Sequence, residues 1–171
     1  SMEKLAFDHF EKKIYIHSTK AELYKLWATQ KGITTWFLEN AKFIDPQGHE
    51  RTPEDFVQVG DTYSWHWHNW DGVGKGEILK ANGMDYLEFS FDNSIVSVSF
   101  EEKNGVVIVC LKQFNIPEDE ESILRIHVGC SNGWTFWLTN LKAYLEHGIL
   151  LNETEIDLRG NELAGWTFVN M

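Results

Sequence analysis

Apolar residues change their period along this chain, and the changes mark its elements. Between residues 6 and 17, Phe10, Ile14 and Ile16 keep an even spacing, which predicts a strand with one buried face. Thr19 and Glu22 then form a capping box, and Leu23, Leu26 and Trp27 give the stripe of a short amphipathic helix. A second brief helix is expected over 30–38, passing Gly32 and ending on the bulky pair Trp36-Phe37. From there the sequence turns to strands. Six strands are predicted in succession, over 41–45, 61–68, 73–80, 84–92, 94–101 and 106–114, which implies an antiparallel sheet. Asp71-Gly72, Asn82-Gly83, Asp92-Asn93 and Asn104-Gly105 fall between the later runs and tolerate the left-handed backbone of tight hairpins. Leu87, Phe89 and Phe91, like Val96, Val98 and Phe100, share one side of their strands and are expected to face inward. Both sides of 106–111 are apolar, so that strand needs cover on its second face, and the next helix is the expected cover.

Pro117 and the acids Glu118, Asp119, Glu120 and Glu121 suit the positive end of a helix dipole, and a solvated first turn explains them without any ligand. Behind them Leu124, His127, Val128, Ser131, Trp134, Leu138, Leu141 and Leu145 recur at helical spacing. One long helix is predicted, weakened at Gly129 and Gly133 and stopped by His147-Gly148. The segment 46–60, with Pro46, Gly48 and Pro53, reads as a surface loop and a candidate lid. Beyond 148 the period is lost. Trp166, Phe168 and Ile149-Leu150-Leu151 are expected either to fold back on the sheet or, with Trp70, to form an apolar patch for a partner. With no repeat or linker, one α+β domain is expected over 2–171, its core at about 6–148 and a C-terminal extension at 149–171.

Composition narrows the function. The net charge of −11, with no run of basic residues, opposes a nucleic-acid backbone. Two cysteines, Cys110 and Cys130, form neither a disulfide framework nor a zinc knuckle and suit a reducing compartment. With no apolar span of membrane length and no secretory pattern at the start, the expected location is the cytoplasm. Eight tryptophans and eleven phenylalanines are more flat surface than a routine core requires.

The order of elements outlines a helix-grip fold, a curved antiparallel sheet wrapped around a long C-terminal helix. Landmarks sharpen the likeness: Ser18-Thr19-Lys20-Ala21-Glu22 opening the first helix, Thr35-Trp36-Phe37 closing the second, and Gly74 to Ile78 in a middle strand. Gly133-Trp134, Leu138, Asn140-Leu141-Lys142 and Leu145-Glu146 follow in the long helix. Together these resemble the activator of heat-shock-protein-ATPase homologue-like family of the START-like (SRPBCC) superfamily, over roughly residues 6–148. Asp157-Leu158-Arg159 is similar to a segment that follows the helix in some bacterial relatives, here displaced by extra residues. The resemblance implies one of three roles: binding a hydrophobic ligand, assisting a chaperone, or a polyketide cyclase-like activity. Fold alone does not choose among them.

The first candidate site is therefore an aromatic-lined hollow, with Trp36, Phe37, Trp65, Trp67, Phe89, Phe91, Val98, Phe100, Trp134, Trp137 and Leu141 as its expected lining. An empty apolar cavity of about 300 Å³ would cost about 7 kcal/mol, so either a guest occupies it or the rings themselves close it. His66 and His68 stand at a spacing that can bind a metal, but no third ligand accompanies them, and alternation sends both away from Trp65 and Trp67. Tyr63, Glu77 and His127 are the only groups placed for proton transfer, and none pairs at a diagnostic spacing. Gly72-Val73-Gly74-Lys75-Gly76 lies in a strand with no helix behind it, so it is no phosphate loop. The expectation is a binding domain without metal or cofactor, rather than an enzyme. Its partner would be a small hydrophobic molecule, a chaperone or a second copy of the chain.

Overall fold

The computed structural model of the chain describes residues 4–169. Its strands are β1 (His9–Ile16), β2 (Asn40–Ile44), β3 (Thr62–His66), β4 (Gly74–Ala81), β5 (Tyr86–Phe91), β6 (Ser94–Lys103) and β7 (Val106–Phe114). They form one seven-stranded antiparallel sheet in the order β1-β7-β6-β5-β4-β3-β2. β1 and β2 are its two edges. Helices α1 (Lys20–Ala28) and α2 (Gln30–Trp36) carry the chain from one edge to the other. The long C-terminal helix follows as Glu120–Ser122, Ile123–Val128 and Gly129–His147. This is the helix-grip α+β architecture expected from the sequence.

Local chemistry sets the boundaries. Thr19 caps α1 by accepting from the Glu22 amide, and Thr29 caps α2 by accepting from the Gly32 amide. Gly32 itself allows the two helices to meet, since a Cβ there would lie 2.0 Å from the Lys25 carbonyl oxygen. Asp92-Asn93 and Asn104-Gly105 both place two consecutive residues at positive φ, the geometry of two-residue hairpins. At Asn82-Gly83 only Gly83 is left-handed, while the Asn82 side-chain oxygen accepts from the amides of Met84, Asp85 and Tyr86. Between β3 and β4 the left-handed residue is Asn69, not the Asp71-Gly72 pair expected from the sequence.

Three further expectations are corrected. The second face of β7 receives no helix: Val107, Val109, Leu111 and Gln113 are fully buried, while Val106, Ile108 and Cys110 stay half-buried on the outer face. The C-terminal helix packs on the inner side, because its own apolar stripe has to meet the concave face. Within that helix Leu124 is 69% exposed and Val128 is exposed too, while Ile126 is fully buried. The cause is the π-helical stretch Ile123–Val128, whose wider turns rotate the earlier residues out of the α-helical phase. The irregularity ends at Gly129, and Gly133 lies within regular helix. Lastly, the loop 46–60 is no lid over the interior. Arg51 binds the buried Asp61 carboxylate at 2.9 and 3.0 Å, Val57 is buried with its amide on the Ala28 carbonyl, and Phe56 meets Tyr24 edge-on. These contacts hold the loop against α1.

Candidate functional site

The inner face of β2 to β5 is aromatic, and its strand register explains how such bulk fits. Trp65 lies between Ala41 of β2 and Gly74 of β4, and Tyr63 lies between Phe43 and Gly76. A Cβ at Gly76 would sit 2.5 Å from the Tyr63 ring, one at Gly74 would sit 2.9 Å from Trp67, and one at Gly72 would sit 2.2 Å from Trp70. Three glycines at alternate positions therefore leave a flat stripe against which three rings lie. Their role is space rather than turn-making or phosphate binding.

On this stripe the rings meet one another. Phe37 is the hub, touching Trp36, Trp65, Trp67, Trp134 and Trp137 at centroid distances of 5.1–5.9 Å. Phe91 closes a circuit with Trp67 at 6.3 Å and Trp134 at 5.6 Å. Trp65 stacks on Tyr63 at 3.9 Å and meets Phe89 at 5.3 Å. Of the expected lining, Trp36, Phe37, Trp65, Phe89, Val98, Phe100, Trp134 and Leu141 are buried, and Trp67, Phe91 and Trp137 are half-buried at the outer end. Phe100 stands apart from the circuit, meeting Tyr24 of α1 at 6.4 Å.

Sequence reasoning left Trp27, Tyr63, Gln113 and Asn140 outside this lining. Tyr63 shares the parity of Trp65 and Trp67, a signal that was available. Gln113 continues the inward parity of Val109 and Leu111, and Asn140 lies between Leu138 and Leu141, so a polar residue in an apolar phase was the clue to each.

The polar atoms divide the cluster. Trp134 Nε1 donates to Gln113 Oε1 at 2.9 Å, Gln113 Nε2 donates to Ser94 Oγ at 2.8 Å, and Ser94 Oγ donates to the Phe91 carbonyl at 2.5 Å. Trp36 Nε1 donates to the Leu26 carbonyl at 2.9 Å. By contrast, the buried Nε1 groups of Trp27 and Trp65 have no acceptor among the described residues. Native interiors satisfy nearly all such donors, so each exception calls for an explanation.

The titratable candidates do not converge. Tyr63 Oη donates to the Ser90 carbonyl at 2.6 Å, and burial raises its pKa well above the usual tyrosine value. Glu77 is exposed on the outer face, next along β4 from the inward Gly76. His127 is half-buried, held at 3.1 Å by the His9 carbonyl and edge-on to Phe7 and Phe10. His66 is exposed on the outer face, and His68 lies 3.2 Å from Glu39. Among the described residues no three His, Cys, Asp or Glu side chains gather to hold a metal ion. No helix there is long and apolar enough to cross a membrane.

The extension is bound by hydrogen bonds at Asn140 and Asn69, and by an exposed pair of Arg159 with Asp71 at 3.8 Å. Asn140, fully buried on the C-terminal helix, donates to the Trp36 carbonyl at 2.7 Å and to Asn152 Oδ1 at 3.1 Å, and accepts from the Leu151 amide at 2.6 Å. Asn69 donates to the Glu153 carbonyl at 3.3 Å and accepts from the Leu158 amide at 2.7 Å. The first part of the tail thus folds back on its own domain, whereas Trp166 is 91% exposed.

The family model described as Activator of Hsp90 ATPase homolog 1-like protein matches residues 17–146. A search of curated proteins finds no match. Among solved structures, the protein SSP2350 from Staphylococcus saprophyticus is similar at 16% identity and a TM-score of 0.68, over 85% of this chain and 97% of that one. The Aha1 dimer from Colwellia psychrerythraea is similar at 16% identity and a TM-score of 0.64, over 82% and 97%. CalU16 from Micromonospora echinospora follows at 15% identity and a TM-score of 0.59, over 82% and 77%. At such identities the likeness is one of fold.

Proposed function

The chain belongs to the Activator of Hsp90 ATPase homolog 1-like family, and from that premise we propose that the aromatic half of its interior takes up a small, flat, apolar molecule carrying a hydrogen-bond acceptor. The observation behind this reading is the pair of orphaned indole N–H groups on Trp27 and Trp65. A buried donor left unpaired costs about 1–3 kcal/mol. Trp36 and Trp134, in the same cluster, have acceptors built for them. A guest with a carbonyl or ether oxygen would supply what the chain withholds at the other two. Once these packed rings part, Phe37, Trp65, Trp67, Phe91, Trp134 and Trp137 would offer stacking faces. Trp67 and Trp137, half-buried against Phe37, are the rings a guest displaces on the way in. The role is binding rather than turnover, since Tyr63, the hydroxyl within the cluster, is committed to a backbone carbonyl and held far from neutral titration.

The test is titration with flavone, a planar ketone, monitored by tryptophan fluorescence and native mass spectrometry. Saturable quenching and a one-to-one mass are expected. Quenching that rises linearly to the solubility limit, with no bound mass, would overturn the reading.

One observation favours a second reading. Trp166, Val169 and Phe168 leave an apolar group exposed near the end of the described chain, which suits a protein partner such as a chaperone or a second copy. Stimulation of a chaperone ATPase by the chain, without flavone quenching, would put this reading in place of the first. Both readings suit the cytoplasm, where thiols such as the free Cys110 and Cys130 stay reduced.

A further inference from the structure

We propose that residues 149–159 are a strap beside Trp67 and Trp137, the outer rings of the aromatic interior, which must lift before a ligand enters. The inference rests on the ligand-binding reading and adds the control of access to it. Its first support is position. Gly148, left-handed at φ 68°, ends the C-terminal helix and turns the chain back. The strap is then tied at Asn140, one helical turn past Trp137 and bonded to the carbonyl of Trp36, the residue before Phe37. Its other tie is Asn69, two residues past Trp67. Phe37 meets Trp67 at 5.5 Å and Trp137 at 5.2 Å, so both ties stand beside the outer rings of the cluster.

The second support is how the strap is held. Asn152 and Leu158 are each 7% exposed, but Ile149, Leu150, Leu151 and Ile156 all face solvent. The side chains of Asn140, Asn152 and Asn69, the buried Leu158 and the exposed Arg159–Asp71 pair at 3.8 Å bind the segment. A segment so attached opens at a lower free energy than the core beside it. A permanent wall would have turned those four apolar side chains inward. The third support is its place in the chain. The family match stops at residue 146, so the strap lies beyond the matched part.

Asn69→Gly is the informative change, because glycine keeps the left-handed backbone at φ 64° while removing both side-chain bonds to the strap. Full-length wild type and variant are compared by hydrogen exchange at the Leu158 amide and by stopped-flow flavone quenching. Exchange and flavone association are both expected to rise roughly tenfold, the factor that two lost hydrogen bonds supply, with the thermal midpoint little changed. Faster exchange with an unchanged association rate would show a loose tail that guards nothing and would overturn the strap. Unchanged exchange would overturn it as well, since Asn69 then holds nothing. Quenching absent from both proteins would remove the ligand-binding reading itself, and the strap with it.

Discussion

The two halves of the sheet bury their inner faces by different means. On β1, β7 and β6 the inward residues Ile16, Val107, Val109, Leu111, Val96 and Val98 are aliphatic and fully buried, with the aromatic Phe100 at the end of the β6 row. Branched side chains interdigitate across neighbouring strands there, and the buried inward polar side chain of Gln113 is bonded to Trp134 and Ser94. On β2 to β5 the inward residues are mostly aromatic, Phe43, Tyr63, Trp65, Phe89 and Phe91 beside the aliphatic Ile78 and Leu87, and are offset by Ala41, Gly74 and Gly76. Large rings against missing side chains fill space less adaptably, and they bring N–H and O–H groups inside that need partners. Tyr63 has one and Trp65 does not. On the proposed ligand-binding reading, the aliphatic half is scaffold and the aromatic half is the site.

Leu111→Ala strikes the scaffold. It deletes a fully buried side chain between Lys12 and Val98 of the neighbouring strands and should cost about 2–5 kcal/mol in denaturant unfolding. Flavone affinity should survive in the folded fraction. A loss of affinity with little loss of stability would reverse the division of labour drawn between the halves.

Gly76→Ala presses a methyl group into the Tyr63 ring, with a 2.5 Å approach that rigid neighbours must relieve. About 1–3 kcal/mol of destabilisation is expected, together with a shift in near-ultraviolet circular dichroism as the stacked Tyr63 and Trp65 rings part. An unchanged spectrum at wild-type stability would mean that the glycine stripe seats nothing.

The smallest effect is the sharpest test. Trp65→Phe removes an orphaned donor and should leave thermal stability within about 1 kcal/mol of wild type, because lost ring area and relieved desolvation oppose one another. Trp134→Phe instead strands the buried Gln113 oxygen and should destabilise by about 1–3 kcal/mol. Equal losses at the two positions would mean that the Trp65 N–H is no exception.

Much of this was legible in the chain. Apolar runs between turn residues placed every strand of the sheet within a few residues, and for Val106–Phe114 at both ends. The capping box placed α1, because a short polar side chain at that point satisfies the first free amides wherever the helix later packs. Among the expected lining residues, strand parity put Trp65, Trp67, Phe89 and Phe91 on one face. Three features were out of reach. The π-helical stretch that buries Ile126 in place of Leu124 depends on how the helix fits the sheet, and an α-helical period cannot reveal it. The loop 46–60 reads as any polar loop until Val57 and Asp61 find their places beneath it. The extension has no period, because asparagine side chains rather than an apolar stripe hold it.

The sequence by itself determined the α+β class, the number and order of strands, and the inward turn of the aromatic residues. Each follows from local steric preference and from a burial pattern repeated every two or every 3.6 residues. Only the tertiary structure decided which rings touch, which indoles find an acceptor, and where the last residues lie. Those outcomes rest on single contacts between residues as distant in the chain as Asn69 and Leu158 or Gln113 and Trp134, and no local period encodes such a pairing.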